Sequence, residues 1–166
     1  MILTISQAAA IVLDETPLSL LTQKQGHPQG DVCKAWYLAL EAAGSRFYVP
    51  EIADFELRRE LLRVAGRTGS TAGLTRLDAF IAAESDRYLP LTTPVVRLAA
   101  ALWAQARNRG RTTAPPEALD GDTLIAAQAV LFNPVAFGLS ATVVATANIG
   151  HLGALTSAAL WSETTP

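Results

Sequence analysis

Between Asp122 and His151 the chain carries no charged side chain. A run that long must be sheltered by protein or by lipid, and the choice decides what kind of molecule this is. A bilayer helix needs about 20 consecutive, largely apolar residues. Gln128, the Asn133-Pro134 pair, Gly138 and Ser140 interrupt the run, and Asn-Pro is a turn signal. The run therefore reads as a buried helix, a turn and a buried strand, which requires a globular core around it. With 166 residues, half of them hydrophobic, one domain over 1–166 can supply that core, at about 10–155 with a short C-terminal tail. Disorder is excluded by the low charge and high apolar content. A net charge of −2 excludes a generally basic nucleic-acid coat, though not a local basic patch.

Cys33 is the only cysteine, so an intrachain disulfide and a Cys zinc cluster are both excluded. The N-terminal MILTISQAAAIVLDE lacks a basic n-region, and Ala8 to Leu13 is too short for a signal core. The chain reads as cytoplasmic.

Hydrophobic periodicity supplies the elements. Ala9 to Leu13 is a continuous apolar run and predicts a strand buried on both faces. Residues 22–30 predict a polar loop, with Asp31 capping a helix that ends before Gly44 and turns Val32, Trp36, Leu40 and Ala43 inward. Arg46 to Val49 predicts a second strand. Ile52 to Ala65 predicts a helix with Leu57, Leu61, Val64 and Ala65 on one face, stopped by Gly66 and Gly69. Further helices are expected over Leu74–Ser85, Val95–Arg109 and about Asp122–Leu131, a short extended piece at Arg87–Leu91, and a last strand at Thr142–Thr146. Trp161 sits in a tail that packs back on the domain. Helices alternating with short apolar strands predict an α/β fold, a three-layer α/β/α sandwich around a short parallel sheet.

In such sheets ligands gather at the carboxyl ends of the strands. Asp14 follows the first strand, Glu56 lies in the helix after the second, Asp120 and Asp122 adjoin an apolar helix, and Asn148 and His151 follow the last strand. Carboxylates brought together repel unless a cation neutralises them. A cluster of hard oxygen donors favours Mg²⁺ or Mn²⁺. Each acid also has an ordinary reading. Asp14 and Asp120 suit helix N-caps, Glu56 suits pairing with Arg59 or Arg63, and Asp122 suits a first-turn charge. His27 reads as an exposed loop residue. Trp36 and Trp103 fall at core spacing.

YVPEIADFELRRELLR (Tyr48 to Arg63), LWAQARNRGRTTAPPEALDGDTLIAAQA (Leu102 to Ala129) and VVATANIGHL (Val143 to Leu152) resemble the PIN domain. More narrowly they look like bacterial toxin-type (VapC-like) PIN ribonucleases, close to a group common in cyanobacteria. The resemblance implies a Mg²⁺- or Mn²⁺-dependent endoribonuclease, the toxin of a type II toxin–antitoxin pair. Its partners would be RNA, a small antitoxin protein and a second copy in a homodimer. It implies Asp14, Glu56 and Asp122 as catalytic metal ligands, with Asp120 and Asn148 as further candidates. Many PIN proteins carry Asp where this chain has Asn148, and a small polar residue where it has Glu15. Thr16, Thr146, Arg58, Arg59 and Arg111 are the candidate RNA contacts. The alternative is a PIN-like protein that binds RNA or a partner without cutting.

Overall fold

The computed structural model describes residues 3–4, 7–110 and 116–166. A short β1 (Leu3–Thr4) pairs in parallel with β7 (Thr164–Thr165) at the chain ends. Between them run β2 (Ala10–Leu13), α1 (Glu15–Leu21), α2 (Pro28–Ala42), β3 (Arg46–Pro50) and α3 (Glu51–Thr68). They are followed by α4 (Ala72–Ala82), β4 (Tyr88–Leu89), α5 (Thr93–Asn108), α6 (Pro116–Leu131), β5 (Thr142–Thr146), α7 (Ile149–Leu152) and β6 (Ala158–Leu160). The main sheet has five strands in the order β4-β3-β2-β5-β6, and every neighbouring pair is parallel. The expected α/β sandwich is what forms.

The central strand shows why. Alternate residues of β2 serve opposite cores, as the period of two in a strand requires. Ile11 and Leu13 face a cluster with Leu18 of α1, Leu40 of α2, Leu57 of α3 and Leu77 of α4. Ala10 and Val12 face Ile125 and Ala129 of α6 and Leu152 of α7. Each such Leu or Ile contributes about 1.5–3 kcal/mol by leaving water. Helix α5 packs outside α6 through Val95, Ala99 and Ala127. The tail does pack back, with the Trp161 ring 5.8 Å from that of Trp36.

The charge-free run resolves into most of α6, a 3₁₀ turn at Pro134–Phe137, and β5. Gln128, its one long polar side chain inside α6, is buried and donates its amide to the Leu89 carbonyl, anchoring the edge strand β4. The run is not uniformly interior, because Val130, Leu131 and Val135 are exposed where α6 ends. Among the described residues no helix is long and apolar enough to cross a membrane.

Several expected boundaries are corrected. Helix α2 starts at Pro28, not after Asp31, because His27 is the cap and its Nδ1 accepts the Gly30 N–H at 3.0 Å. Proline suits the first helical position, where no N–H is needed. Asp31 instead accepts the Gly26 N–H from inside the first turn. His27 is thus half-buried and structural. The inward face also differs from the expected one: Val32 is 60% exposed and Ala43, beyond the helix end, is exposed, while Cys33 and Leu40 are fully buried. Helix α3 runs through Gly66 and ends only at Gly69, which takes the left-handed conformation at φ 73°. Its Val64 points largely outward. Helix α6 begins at Pro116, so Asp120 and Asp122 lie within it and not ahead of it.

Candidate active site

The carboxyl ends of β2 and β5 lie side by side, with Leu13 paired to Ala145. Asp14, the first residue beyond β2, caps α1 and is held at both oxygens. Its Oδ1 accepts the Glu15 N–H at 2.7 Å, and its Oδ2 accepts the Thr146 hydroxyl at 2.6 Å. Thr146, the last residue of β5, has no exposed surface. Its hydroxyl oxygen also accepts the Asn148 N–H at 3.0 Å. The capping and active-site readings of Asp14 are thus compatible, because the cap sets the direction of the carboxylate.

Glu56 approaches from α3 and meets α6 at Gly121. A Cβ at residue 121 would stand 2.6 Å from Glu56 Oε1, so only glycine leaves the carboxylate its place. Asp122 follows directly on α6. These acids act on one another. Burial, then the charge of Asp14, raise Glu56 above the ordinary Glu range; Glu15 and Asp122 add to the effect, and Arg59 opposes it. Burial and Asp14 likewise push Asp122 up to about 6, against the influence of His151. Burial and Asp14 also raise Glu15, opposed by Arg59 and by a hydrogen bond to Thr16.

The donor set suits a hard divalent cation: carboxylates from three elements, one locked by Thr146 and one seated where a side chain is missing. Among the described residues, no group of three or more His, Cys, Asp or Glu is close enough to hold a metal ion in this conformation.

The sequence pattern of the PIN domain matches residues 11–137. The chain belongs to the PIN domain family. Curated proteins yield no match. Solved structures do. FitAcB from Neisseria gonorrhoeae superposes with a TM-score of 0.63 at 22% identity, over 91% of this chain and 97% of that one. FitAB bound to an IR36 DNA fragment gives 0.64 at 21%, over 92% and 95%. VapBC2 from Rickettsia felis, bound to a DNA fragment from their promoter, gives 0.61 at 14%, over 90% and 97%. At these identities the likeness shows the fold alone. PIN domains are generally nucleases and generally use divalent metal ions.

In this PIN domain the structure draws Asp14, Glu56 and Asp122 into one electrostatic group. It does not bring Asp120 there. Two residues on a helix point to nearly opposite sides, and Asp120 is exposed in a shallow groove with Val96 and Trp103. Asn148 caps α7, its Oδ1 accepting the Gly150 N–H at 3.1 Å. Thr146 positions Asp14 from the interior and has no surface for RNA. Arg58 is also corrected. Its guanidinium joins Asp54 on its own helix and Asp78 on α4 at 2.9 and 2.7 Å, making a clamp between helices. Arg59 is exposed, near Glu56 and Glu15, and 5.6 Å from the Phe55 ring. Arg111 lies outside the described residues. Burial pushes the Cys33 thiol up to about 12, which keeps it inert.

Two members of the site were not anticipated as such. Glu15 was read as a departure from the family pattern, yet its charge acts on Glu56. Gly121 was passed over inside Asp-Gly-Asp. Its signal was present in the sequence: a glycine within a helical stretch needs a reason.

Proposed function

We propose that this PIN domain, residues 1–166, is a Mg²⁺- or Mn²⁺-dependent endoribonuclease and the toxin of a type II toxin–antitoxin pair. The observation that carries the reading is that Asp14, fixed by Thr146 where the parallel strands end, lies near enough to raise both Glu56 of α3 and Asp122 of α6 by its charge. Asp14, Glu56 and Asp122 would hold the cation. Once bound, the cation would lower the pKa of a water so that hydroxide, the nucleophile for a phosphodiester, is available near neutral pH, and would offset charge on the scissile phosphate. Thr146 keeps Asp14 aimed by donating to its Oδ2. Arg59 offers an exposed positive charge at the rim, where it attracts the polyanion and offsets the repulsion between acids and phosphate. No covalent nucleophile is needed, and the product carries a 5′-phosphate. Similarity to FitAB and VapBC2, both solved on DNA fragments, supports a small antitoxin partner; a homodimer and a cytoplasmic setting belong to the same reading and rest on the family resemblance of the motifs.

Purified protein incubated with single-stranded RNA should cut it in Mg²⁺ or Mn²⁺ and not in EDTA. Expression should arrest growth, with relief by Asp14→Asn or Asp122→Asn. Unchanged toxicity in both variants sinks the reading. A second reading, a PIN-like protein that binds RNA or a partner without cleavage, is favoured by one observation: the neutral Asn148 spends its side chain on a cap. RNA retention without any cut in Mg²⁺ would select it.

A further inference from the structure

Beside the acid group lies a cavity of about 270 Å³, walled by α5, α6, α7 and the turn after α7. Leu102, Ala106, Leu119 and Leu155 give it apolar walls, while Gln105 and Arg109 bring an amide and a guanidinium. Leu119 of the wall stands three residues before Asp122 on α6, on the same side of that helix. His151 completes the wall from α7, whose cap Asn148 donates its N–H to the Thr146 hydroxyl that holds Asp14. The cavity therefore adjoins the place where a scissile phosphate would sit.

Its size and chemistry restrict the occupant. Pockets for drug-sized ligands usually run from about 300 to 1,000 Å³, so this one suits a single flat ring system. Apolar walls match the faces of a heterocycle. A side-chain amide offers both a donor and an acceptor to a base edge, and a guanidinium offers donors in a planar fork. Single-stranded RNA is read in this way, by splayed bases held on apolar or planar groups and hydrogen-bonded at their edges. Another cavity, of about 370 Å³ near Arg46 and Arg87, lies at the amino end of β3, away from the acid group, and Glu41, Glu84 and Asp86 line it. Those carboxylates repel a polyanion.

We propose that the cavity between α5 and α7 receives one nucleobase of the RNA substrate, adjacent to the cleaved phosphate. Gln105 and Arg109 would read the base edge. The inference rests on the nuclease reading of the acid group, but it makes its own prediction about binding. Backbone amide shifts of the wild-type protein are followed by NMR without divalent metal. The four nucleoside 5′-monophosphates are titrated in turn, with ribose 5-phosphate as the base-free control. The nucleotides should shift Gly150, His151 and Ala154 saturably, and ribose 5-phosphate should leave them in place. Ala154→Trp, which adds bulk from an exposed position at the cavity wall, should weaken that binding at least tenfold while the amide spectrum elsewhere stays folded. Arg109→Gln should alter the ranking of the four bases. The proposal is overturned by equal shifts from ribose 5-phosphate, by no saturable shift up to about 10 mM, or by unchanged affinity in Ala154→Trp. RNA cleavage by the wild type, measured separately, tells whether the nuclease reading stands whatever the cavity binds.

Discussion

Replacing Gly121 with alanine separates stability from function in one step. Gly121 is buried within α6, and an alanine Cβ there would lie 2.6 Å from Glu56 Oε1, 3.4 Å from Cδ and 3.7 Å from Oε2. Ordinary contact begins near 3.4 Å, so the carboxylate must retreat by roughly 0.8 Å or more. The group that moves is the end of a flexible side chain. The cost is therefore small, while alanine in a helix interior is favoured over glycine by about 0.8–1 kcal/mol. The variant should thus be as stable as the wild type, or more stable by up to about 1 kcal/mol, a rise in Tm of about 2–4 °C for a chain of this size. Metal coordination tolerates only a few tenths of an ångström in ligand distance, so Mn²⁺ affinity should fall about tenfold or more. The assays are thermal unfolding in EDTA and calorimetric titration with Mn²⁺. Unchanged Mn²⁺ affinity in a folded Gly121→Ala protein would refute the reasoning, because Glu56 would then not be a ligand. Destabilisation beyond about 2 kcal/mol would refute it differently, by showing that the carboxylate cannot yield.

Asp122→Asn should stabilise the metal-free protein at neutral pH. The folded-state carboxyl titrates at about 6 against an ordinary 3.8. Stability therefore falls as pH rises through the window from about 4 to 6, and the whole penalty is present above it. The gap corresponds to at most about 3 kcal/mol, which partial exposure reduces to about 1–2 kcal/mol. Urea unfolding at pH 3.5 and pH 7 should show the gain only at pH 7, and a gain at both would contradict the assignment. Thr146→Val should cost about 2 kcal/mol, because a buried hydroxyl that donates to a carboxylate and accepts an N–H is lost; its Mn²⁺ affinity should fall as Asp14 loosens. Arg58→Ala should destabilise by about 1–2 kcal/mol through loss of the Asp54 and Asp78 bonds. Arg59→Ala should leave the midpoint within about 0.5 kcal/mol and lower the salt slope of RNA binding by about 0.7. The reverse pattern for these two arginines would exchange their roles.

What could be read in advance follows from how far each signal reaches along the chain. Ala9–Leu13 is a continuous apolar run and Thr142–Thr146 a short, largely β-branched one, and burial on both faces leaves few other readings. Gly44 and Gly69 marked helix ends because both take positive φ, where a Cβ is strained. The start of α2 was misplaced because a histidine serves as the cap and the proline beside it looked like loop material. The three-residue strand β6 left no pattern to find; it is a strand because β5 lies next to it. Among the candidate site residues, Asp14, Glu56 and Asp122 were proposed in advance from their family motifs. The roles of Arg58 and Thr146 were not, since each depends on a partner far away in sequence: Asp78 for the first, Asp14 for the second.

By itself the sequence determined the layered α/β class and the exclusion of disulfides, and its resemblance to a known family singled out three acids. The first two depend on composition and on periods of two and 3.6 residues, which are local. The tertiary structure alone decided which acids interact, because Asp120 and Asp122 are nearly identical in sequence context and point to different sides of one helix. It also turned the charge-free run from a question about membranes into a helix, a turn and a strand. Within the run Gln128 anchors the edge strand and β5 delivers the threonine that aims Asp14, and just ahead of it α6 leaves a gap at Gly121 for Glu56. Such duties rest on contacts between segments from 39 to 132 residues apart, and only folding brings those segments together.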